Sequence, residues 1–382
     1  MTLNAVENPD QNGLSPQAAG PSARRQGKVP VPPREQSGLA SVAPTLVTDD
    51  DLVLGQPAPG IRLVRLPLPF ALDHINVWLL ADKDSAARDG WTLVDTGIAS
   101  NLTRALWEQV IARHMDGLPA LRLLVTHFHP DHVGLADWLC QRFDIPLAMS
   151  RSEWLLAQLH SRPPATMDQQ IANRFYMRAG LSPEQVANLT ARVGAYRQGV
   201  PAVPAIFQRL RDGQMLDIGG RGWQVICSGG HSPEHVCLFN SDAHILIAGD
   251  MVLPRISPNI SVWPAEPAAD PLSEYLAGLG RLRQLPADTL VLPSHGQPFT
   301  GLRERIDQLA NHHQERLAEI RTACSGPGCS VADITQLLFR RPLDTHQLSF
   351  AVGEALAHLN HLVGQGLLHR KERAGTPDLF QV

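Results

Sequence analysis

Polar and apolar positions recur with two different periods along this chain, and the changes of period divide it into segments. Residues 61–68 alternate with period two and predict a half-buried strand. Residues 75–80 and 91–94 are short apolar runs that predict buried strands, with a polar turn between them. Then the spacing becomes helical: Leu102, Ala105, Leu106, Val110 and Ile111 share one face of a helix over 101–114, and Asn101 stands where an N-cap belongs. Residues 121–126 form another apolar run, and 133–140 start a helix. A strand at 146–149 and a helix at 153–159, with Ser152 as its cap, complete this half.

Residues 161–208 break the rhythm. They hold a helical piece at 183–190 between Pro-rich breaks, and predict a helical insertion overhanging a cleft. Arg174, Tyr176, Arg178 and Tyr196 either meet a substrate there or brace the insertion. Strands follow in quick succession at 215–218, 223–227, 236–240 and 244–247, which predicts an antiparallel sheet. A helix near 271–285 and a strand at 290–292 come next. A long helix over 301–322 carries a polar face with His312, His313 and Arg316. Gly326-Pro327-Gly328 stops it. Ser330 then caps a helix over 331–339, a second helix spans about 347–363, and 367–371 can pair with 379–382. Residues 1–51 are rich in Pro, Gly, Ser and Gln and predict a disordered tail. The expected organisation is therefore a tail (1–51), a main domain (52–300), a connecting helix and linker (301–329) and a small C-terminal domain (330–382).

Composition narrows the class. The formal net charge is −4, so the chain as a whole offers no strong attraction for nucleic acid or an anionic membrane. Five scattered cysteines argue against a disulfide framework and for free thiols. The first residues lack a basic segment followed by an apolar one, and no run is apolar enough to span a membrane. A cytoplasmic location is expected.

The candidate chemistry lies directly after the run at 121–126. Within Thr126-His127-Phe128-His129-Pro130-Asp131-His132 stand three histidines and an aspartate. Imidazole and carboxylate are the usual non-sulfur ligands of Zn²⁺ and similar cations. Burying such a cluster without an ion would carry a heavy desolvation cost.

The stretch resembles the His-x-His-x-Asp-His signature of the metallo-β-lactamase-fold hydrolases. Further segments resemble that family in order: Leu93-Val94-Asp95-Thr96-Gly97 upstream, then Gly230-His231-Ser232-Pro233-Glu234-His235, Ala248-Gly249-Asp250 and Ser294-His295-Gly296. One departure is Glu234, where the family often has Gly; a carboxylate there adds bulk and charge beside the site. The resemblance covers roughly residues 52–297. It implies an α+β fold, a four-layer α/β/β/α sandwich, with the metals between the sheets along one edge. It also implies that the C-terminal helices and hairpin form a winged-helix domain, as in one branch of the family.

By the same resemblance, His127, His129 and His231 hold one divalent ion. Asp131, His132 and His295 hold a second, and Asp250 bridges them. The ions would be Zn²⁺, with Fe²⁺ or Mn²⁺ as alternatives. Asp131 could also accept a proton from the attacking water. Asp95 is expected to hydrogen-bond a ligand imidazole, or else only to cap its turn. His235 is expected behind the ligands. His74 either lines the cleft with Tyr176 and Arg174, or is a satisfied edge histidine.

The implied function is hydrolysis of a small-molecule ester, above all a thioester of the acyl-CoA or glutathione type. The alternative is a nuclease or phosphodiesterase that meets phosphates through His369, Arg370, Lys371 and Arg373 on the wing. A non-catalytic winged-helix binding module is a third reading, disfavoured by the complete ligand set. No membrane partner is expected, and self-association stays open.

Overall fold

The segments that alternate with period two fold into two sheets. The computed structural model describes residues 39–41, 46–49, 52–70, 72–372 and 375–382. The described residues begin with strands β1 (Ala40–Ser41), β2 (Val47–Asp49), β3 (Leu52–Ala58), β4 (Ile61–Pro67), β5 (His74–Lys83) and β6 (Asp89–Val94), then helix α1 (Asn101–Arg113) and strand β7 (Ala120–Leu124). The short helices α2 (Pro130–Val133) and α3 (Ala136–Phe143) lead to β8 (Leu147–Met149). Four helices follow: α4 (Arg151–His160), α5 (Thr166–Arg178), α6 (Pro183–Thr190) and α7 (Tyr196–Gly199). Next come β9 (Phe207–Arg209), β10 (Met215–Ile218), β11 (Arg221–Ser228), β12 (His235–Asn240), β13 (Ile245–Gly249), α8 (Pro271–Leu282), β14 (Leu290–Pro293) and β15 (Phe299–Thr300). The chain ends with α9 (Leu302–Ala323), α10 (Val331–Leu338), α11 (Thr345–Gly364), β16 (His369–Lys371) and β17 (Leu379–Gln381).

The eight-stranded sheet runs in order from β2 to β9, and the seven-stranded sheet runs β1-β15-β14-β13-β12-β11-β10. In the first, β2 to β6 pair antiparallel, whereas β6, β7, β8 and β9 are parallel neighbours. The parallel pairs need crossovers, and α1 and α3 supply two of them. In the second sheet only β13 and β14 are parallel. Three apolar clusters hold these parts together. Trp78, Leu80, Trp223 and Val225 belong to a cluster with members on both sheets. Leu106, Trp107, Leu139 and Ala157 pack helices α1, α3 and α4 against the first sheet. Leu279, Leu309, Ile334, Leu356 and Phe380 belong to one cluster spanning the second sheet, α5, α6, the C-terminal helices and β17.

Several local expectations change. The tail expected through residue 51 contains two strands among its described residues: β1 pairs with β15, and β2 with β3. The rest of that tail lies outside the described residues. Ser100, not Asn101, caps α1, because its hydroxyl accepts from the Thr103 N–H at 3.0 Å. Helix α4 begins two residues before the expected start, and the Ser152 N–H donates to Glu234 Oε2 at 2.8 Å. Asp344 caps α11 and starts it at Thr345.

His313 is not on a polar face but fully buried, with Nδ1 3.1 Å from His358 Nε2. His358 Nδ1 donates to the Glu354 carbonyl at 2.8 Å. Its Nε2 therefore accepts, and both rings are neutral. Burial lowers His313 to about 3 and His358 to about 4. Neutral in the folded state, these groups take up protons on unfolding below the ordinary histidine pKa of ~6.5. Their contribution to stability is complete above that value and is lost as pH falls towards the folded pKa. Compared with the parent, His358→Gln is therefore expected to lose less stability between about pH 7 and about pH 5, as read by urea unfolding at both. An unchanged slope would contradict this.

Candidate metal centre

The ends of the parallel strands converge. Val94 ends β6, and Asp95 follows in a left-handed conformation with φ 63°. Its carboxylate accepts from the Thr126 N–H at 2.8 Å, which fixes the turn after β7. The other carboxylate oxygen lies 2.8 Å from His132 Nδ1, so His132 donates there and turns Nε2 the other way. Two more ligand candidates are oriented likewise through Nδ1: His231 donates to the Asn259 carbonyl at 2.8 Å, and His295 to the His74 carbonyl at 2.6 Å. Such outer contacts fix the tautomer and leave Nε2 for a cation. Asp250 and His295 follow β13 and β14, so all these groups meet where strands stop.

Three overlapping groups have ligand atoms within 4.8 Å of one another: His127, His129 and His231; His127, His132 and Asp250; and Asp131, His132 and His295. Asp250 links them. Its Oδ2 is 3.4 Å from His231 Nε2 and 3.6 Å from His132 Nε2, and its Oδ1 is 3.4 Å from His295 Nε2. Asp131 Oδ2 stands 3.5 Å from His132 Nε2 and 3.4 Å from His295 Nε2. The buried atoms His129 Nε2, His132 Nε2, His295 Nε2 and Asp250 Oδ1 have no hydrogen-bond partner. Native interiors satisfy such atoms. A set left open on one spot, made of imidazoles and carboxylates, fits divalent cations.

Electrostatics agree. Burial lowers His127 well below the ordinary range and takes His129 down to about 3. Burial would also lower His295, but the Asp250 and Asp131 carboxylates hold it up at about 10. His132 is raised well above the ordinary value against burial by Asp131, Asp95 and Asp250. Burial would raise Asp131, yet the charges of His132 and His295 beside it bring it to about 2. Without a cation, then, protons on His132 and His295 balance the carboxylates.

His235 is fully buried, and its Nε2 accepts from the Asp250 N–H at 3.1 Å. This contact needs Gly249: at φ 52° an added Cβ would lie 2.4 Å from the His235 ring. His74 does not present its ring to the cleft as a substrate contact. Its Nε2 accepts from the Gly296 N–H at 2.9 Å, which holds the His295 turn, and its Nδ1 lies 2.7 Å from Asp73, so both ring nitrogens are engaged. Tyr176 is also misplaced as a substrate residue: it is buried in the apolar cluster of the C-terminal helices. Its helix α5 is joined to the C-terminal hairpin, where Arg178 pairs with Asp378 at 2.9 Å. Arg174 stands exposed on the same helix, with no hydrogen bond to a ligand candidate among the described residues. Tyr196 is the insertion residue that reaches the centre, since its hydroxyl donates to the Phe128 carbonyl.

Glu234, expected to crowd the site, instead caps α4 and lies 3.5 Å from Arg209. Sequence reasoning missed Glu153. It opens the helix expected at 153–159, where an acidic residue is ordinary, yet it is fully buried and accepts from Phe128 N–H at 2.9 Å and Glu234 N–H at 2.7 Å. It thereby ties the His127–His132 loop to the His231–His235 loop. Burial pushes it up to about 7. Asn76 and Arg65 were also missed. Both bond the Gly296 carbonyl, at 2.9 and 2.6 Å, and brace the turn that carries His295. The only available signal was a polar residue inside an apolar strand.

The sequence profile of the Metallo-beta-lactamase superfamily matches residues 71–295, more than half of the chain. The chain belongs to the metallo-beta-lactamase superfamily. A profile described as "Metallo-beta-lactamase-like, C-terminal domain" matches residues 317–381. Among solved structures, a beta-lactamase domain protein from Burkholderia ambifaria is 47% identical, with a TM-score of 0.81, covering 86% of this chain and 94% of that one. A metallo-beta-lactamase family protein from Thermus thermophilus is 27% identical, with a TM-score of 0.71, covering 85% and 99%. A Bacillus subtilis protein named "Probable metallo-hydrolase YqjP" is 28% identical over 308 residues, 78% of this chain and 91% of its own. This superfamily member is a metal-dependent hydrolase.

Two outcomes test the centre. Zn²⁺ binding to the metal-free protein is expected to release protons from His132 and His295 and to tighten as pH rises, because their raised pKa values make protons compete with the ion. Calorimetry in buffers of different ionisation enthalpy measures the release; none would contradict the assignment. Glu153→Ala is expected to cost about 3 kcal/mol of unfolding free energy by leaving two backbone N–H groups unpaired, with Glu153→Gln costing less, as read by denaturant titration.

Proposed function

We propose that this superfamily member hydrolyses small-molecule esters, above all thioesters of the acyl-CoA or glutathione type, with two divalent ions. In this reading His127, His129 and His231 hold one ion. Asp131, His132 and His295 hold the other, and Asp250 lies between. Zn²⁺ suits this mixed nitrogen and oxygen set, and Fe²⁺ or Mn²⁺ are alternatives. The supporting observation is that Asp250 stands within 3.6 Å of imidazole nitrogens from both groups while its Oδ1 is left without a hydrogen bond. When bound, such a pair of cations brings the pKa of water close to neutrality and steadies a developing oxyanion.

The protein's own residues do the rest. Asp131 stays ionised across neutral pH, and it can accept and orient a proton of the attacking water. Asp95 and the Asn259 and His74 carbonyls keep the ligand imidazoles in one tautomer. His235 fixes the backbone of Asp250. No serine or cysteine nucleophile is required, and the chain has no Gly-x-Ser-x-Gly segment.

The same reading takes the two sheets and their outer helices as the four-layer sandwich of the superfamily, with a winged-helix C-terminal domain. It puts the enzyme in the cytoplasm, where its five free thiols suit a reducing compartment. The nuclease alternative loses support at the wing. Arg370 is paired with Asp378 at 2.7 Å and Lys371 Nζ donates to Gln381 at 2.6 Å. Arg373 lies outside the described residues.

A panel of acyl-thioesters, lactones and single-stranded RNA, assayed with Zn²⁺, Mn²⁺ and Fe²⁺, tests the proposal. Thioester turnover is expected, abolished in His127→Ala and Asp250→Ala while circular dichroism is retained. Asp131→Asn is expected to lower kcat by about 10²–10⁴-fold. RNA cleavage with steep salt dependence and no thioester turnover would overturn it.

A further inference from the structure

Two aromatic side chains are out of place by the usual rule of burial. Among the described residues, the only aromatics in the set of exposed large hydrophobic side chains are Phe70, 44% exposed, and Trp263, 40% exposed. Trp263 borders the metal centre, and Phe70 is linked to the Trp263 loop through His346 and Phe350, whose carbonyl accepts from the Ser261 hydroxyl at 3.4 Å. Trp263 meets the ring of Phe128 at 6.2 Å, and Phe128 stands between His127 and His129 with its ring 4.8 Å from that of His129. Phe70 stands four residues before His74, whose carbonyl holds His295, and its ring lies 5.5 Å from His346.

Trp263 is held in place rather than loosely attached. Its loop leaves Asp250 and passes Asn259, which accepts from His231 through its carbonyl and donates to Glu354 Oε2 on α11 at 3.1 Å. The Val262 N–H then donates to the Gly353 carbonyl at 3.1 Å. A braced segment that leaves an indole partly in water next to a polar centre is built to cover something apolar.

We propose that Phe70 and Trp263 form an apolar rim that takes the acyl chain of the substrate, so that the ester hydrolysed is that of an apolar carboxylic acid rather than an acetyl or highly polar one. This rests on the hydrolase reading above. Trp263 receives the chain on the His129 side, backed by the buried Phe128 ring, and Phe70 receives it on the side of His346. Each methylene taken fully out of water is worth about fourfold in binding.

The test is a series of N-acetylcysteamine thioesters from acetyl to decanoyl with the metal-loaded enzyme, alongside calorimetric binding of acetate and decanoate. The ratio of decanoyl to acetyl kcat/KM is expected to reach about thirtyfold in the parent, corresponding to burial of only part of the chain. It should fall at least about tenfold in Trp263→Ala and in Phe70→Ala, and survive largely in Trp263→Phe. Decanoate should bind more tightly than acetate, and lose that advantage in Trp263→Ala. A flat chain-length dependence in the parent, or an equal dependence in the alanine variants, overturns the rim. Turnover without chain-length preference sinks the rim and leaves the hydrolase reading intact. A Trp263-dependent preference for decanoate with no thioester turned over sinks the reaction and leaves the rim standing.

Discussion

Imidazoles and carboxylates that cannot satisfy one another are packed into one small buried volume, and the surrounding architecture follows from that constraint. Left alone, the cluster needs protons on His132 and His295 to offset the charges of Asp131 and Asp250. A divalent ion does the same work with more ligands and no proton. Holding such a cluster together costs desolvation at every member. Only a rigid frame makes that tolerable, and the frame here is the set of strand ends on two sheets, tied by the Thr126 carbonyl to the Val236 N–H at 2.9 Å.

The frame has a second tier that faces away from the centre. Asp95, His74, Asn259 and His235 each hold a ligand residue by one hydrogen bond. Glu153, Asn76 and Arg65 hold the loops that carry those ligands. Ligand position is thus over-determined by groups scattered over the chain, as a site of this kind requires. The C-terminal helices belong to the same system. Glu354 and Gly353 on α11 brace the loop between Asp250 and Trp263, so the small C-terminal segment shapes the edge of the metal centre as well as its own core.

Much of this was legible in the sequence because periodicity and ligand chemistry are local properties. The strand at 61–68, the helix after Ser330 and the closing hairpin all follow from patterns a few residues long, and so does the His127–His132 stretch. What escaped depends on distant neighbours. Glu153 looks like any first-turn glutamate until two loops far along the chain turn their N–H groups towards it. Tyr176 lies in the insertion expected to overhang a cleft, whereas its ring packs into the cluster of the C-terminal helices, which are distant in sequence. His313 looked solvent-facing because His358, on the helix packed against it, comes 45 residues later. The Glu234 departure suggested crowding, whereas the fold gives that carboxylate a helix terminus to cap.

Whether these residues hold a pair of cations is decided by elemental analysis of the protein after equilibrium with Zn²⁺ and exhaustive dialysis. Close to two ions per chain are expected, falling sharply in Asp250→Ala. A folded protein that retains none, with zinc, iron and manganese each offered in turn, would contradict it.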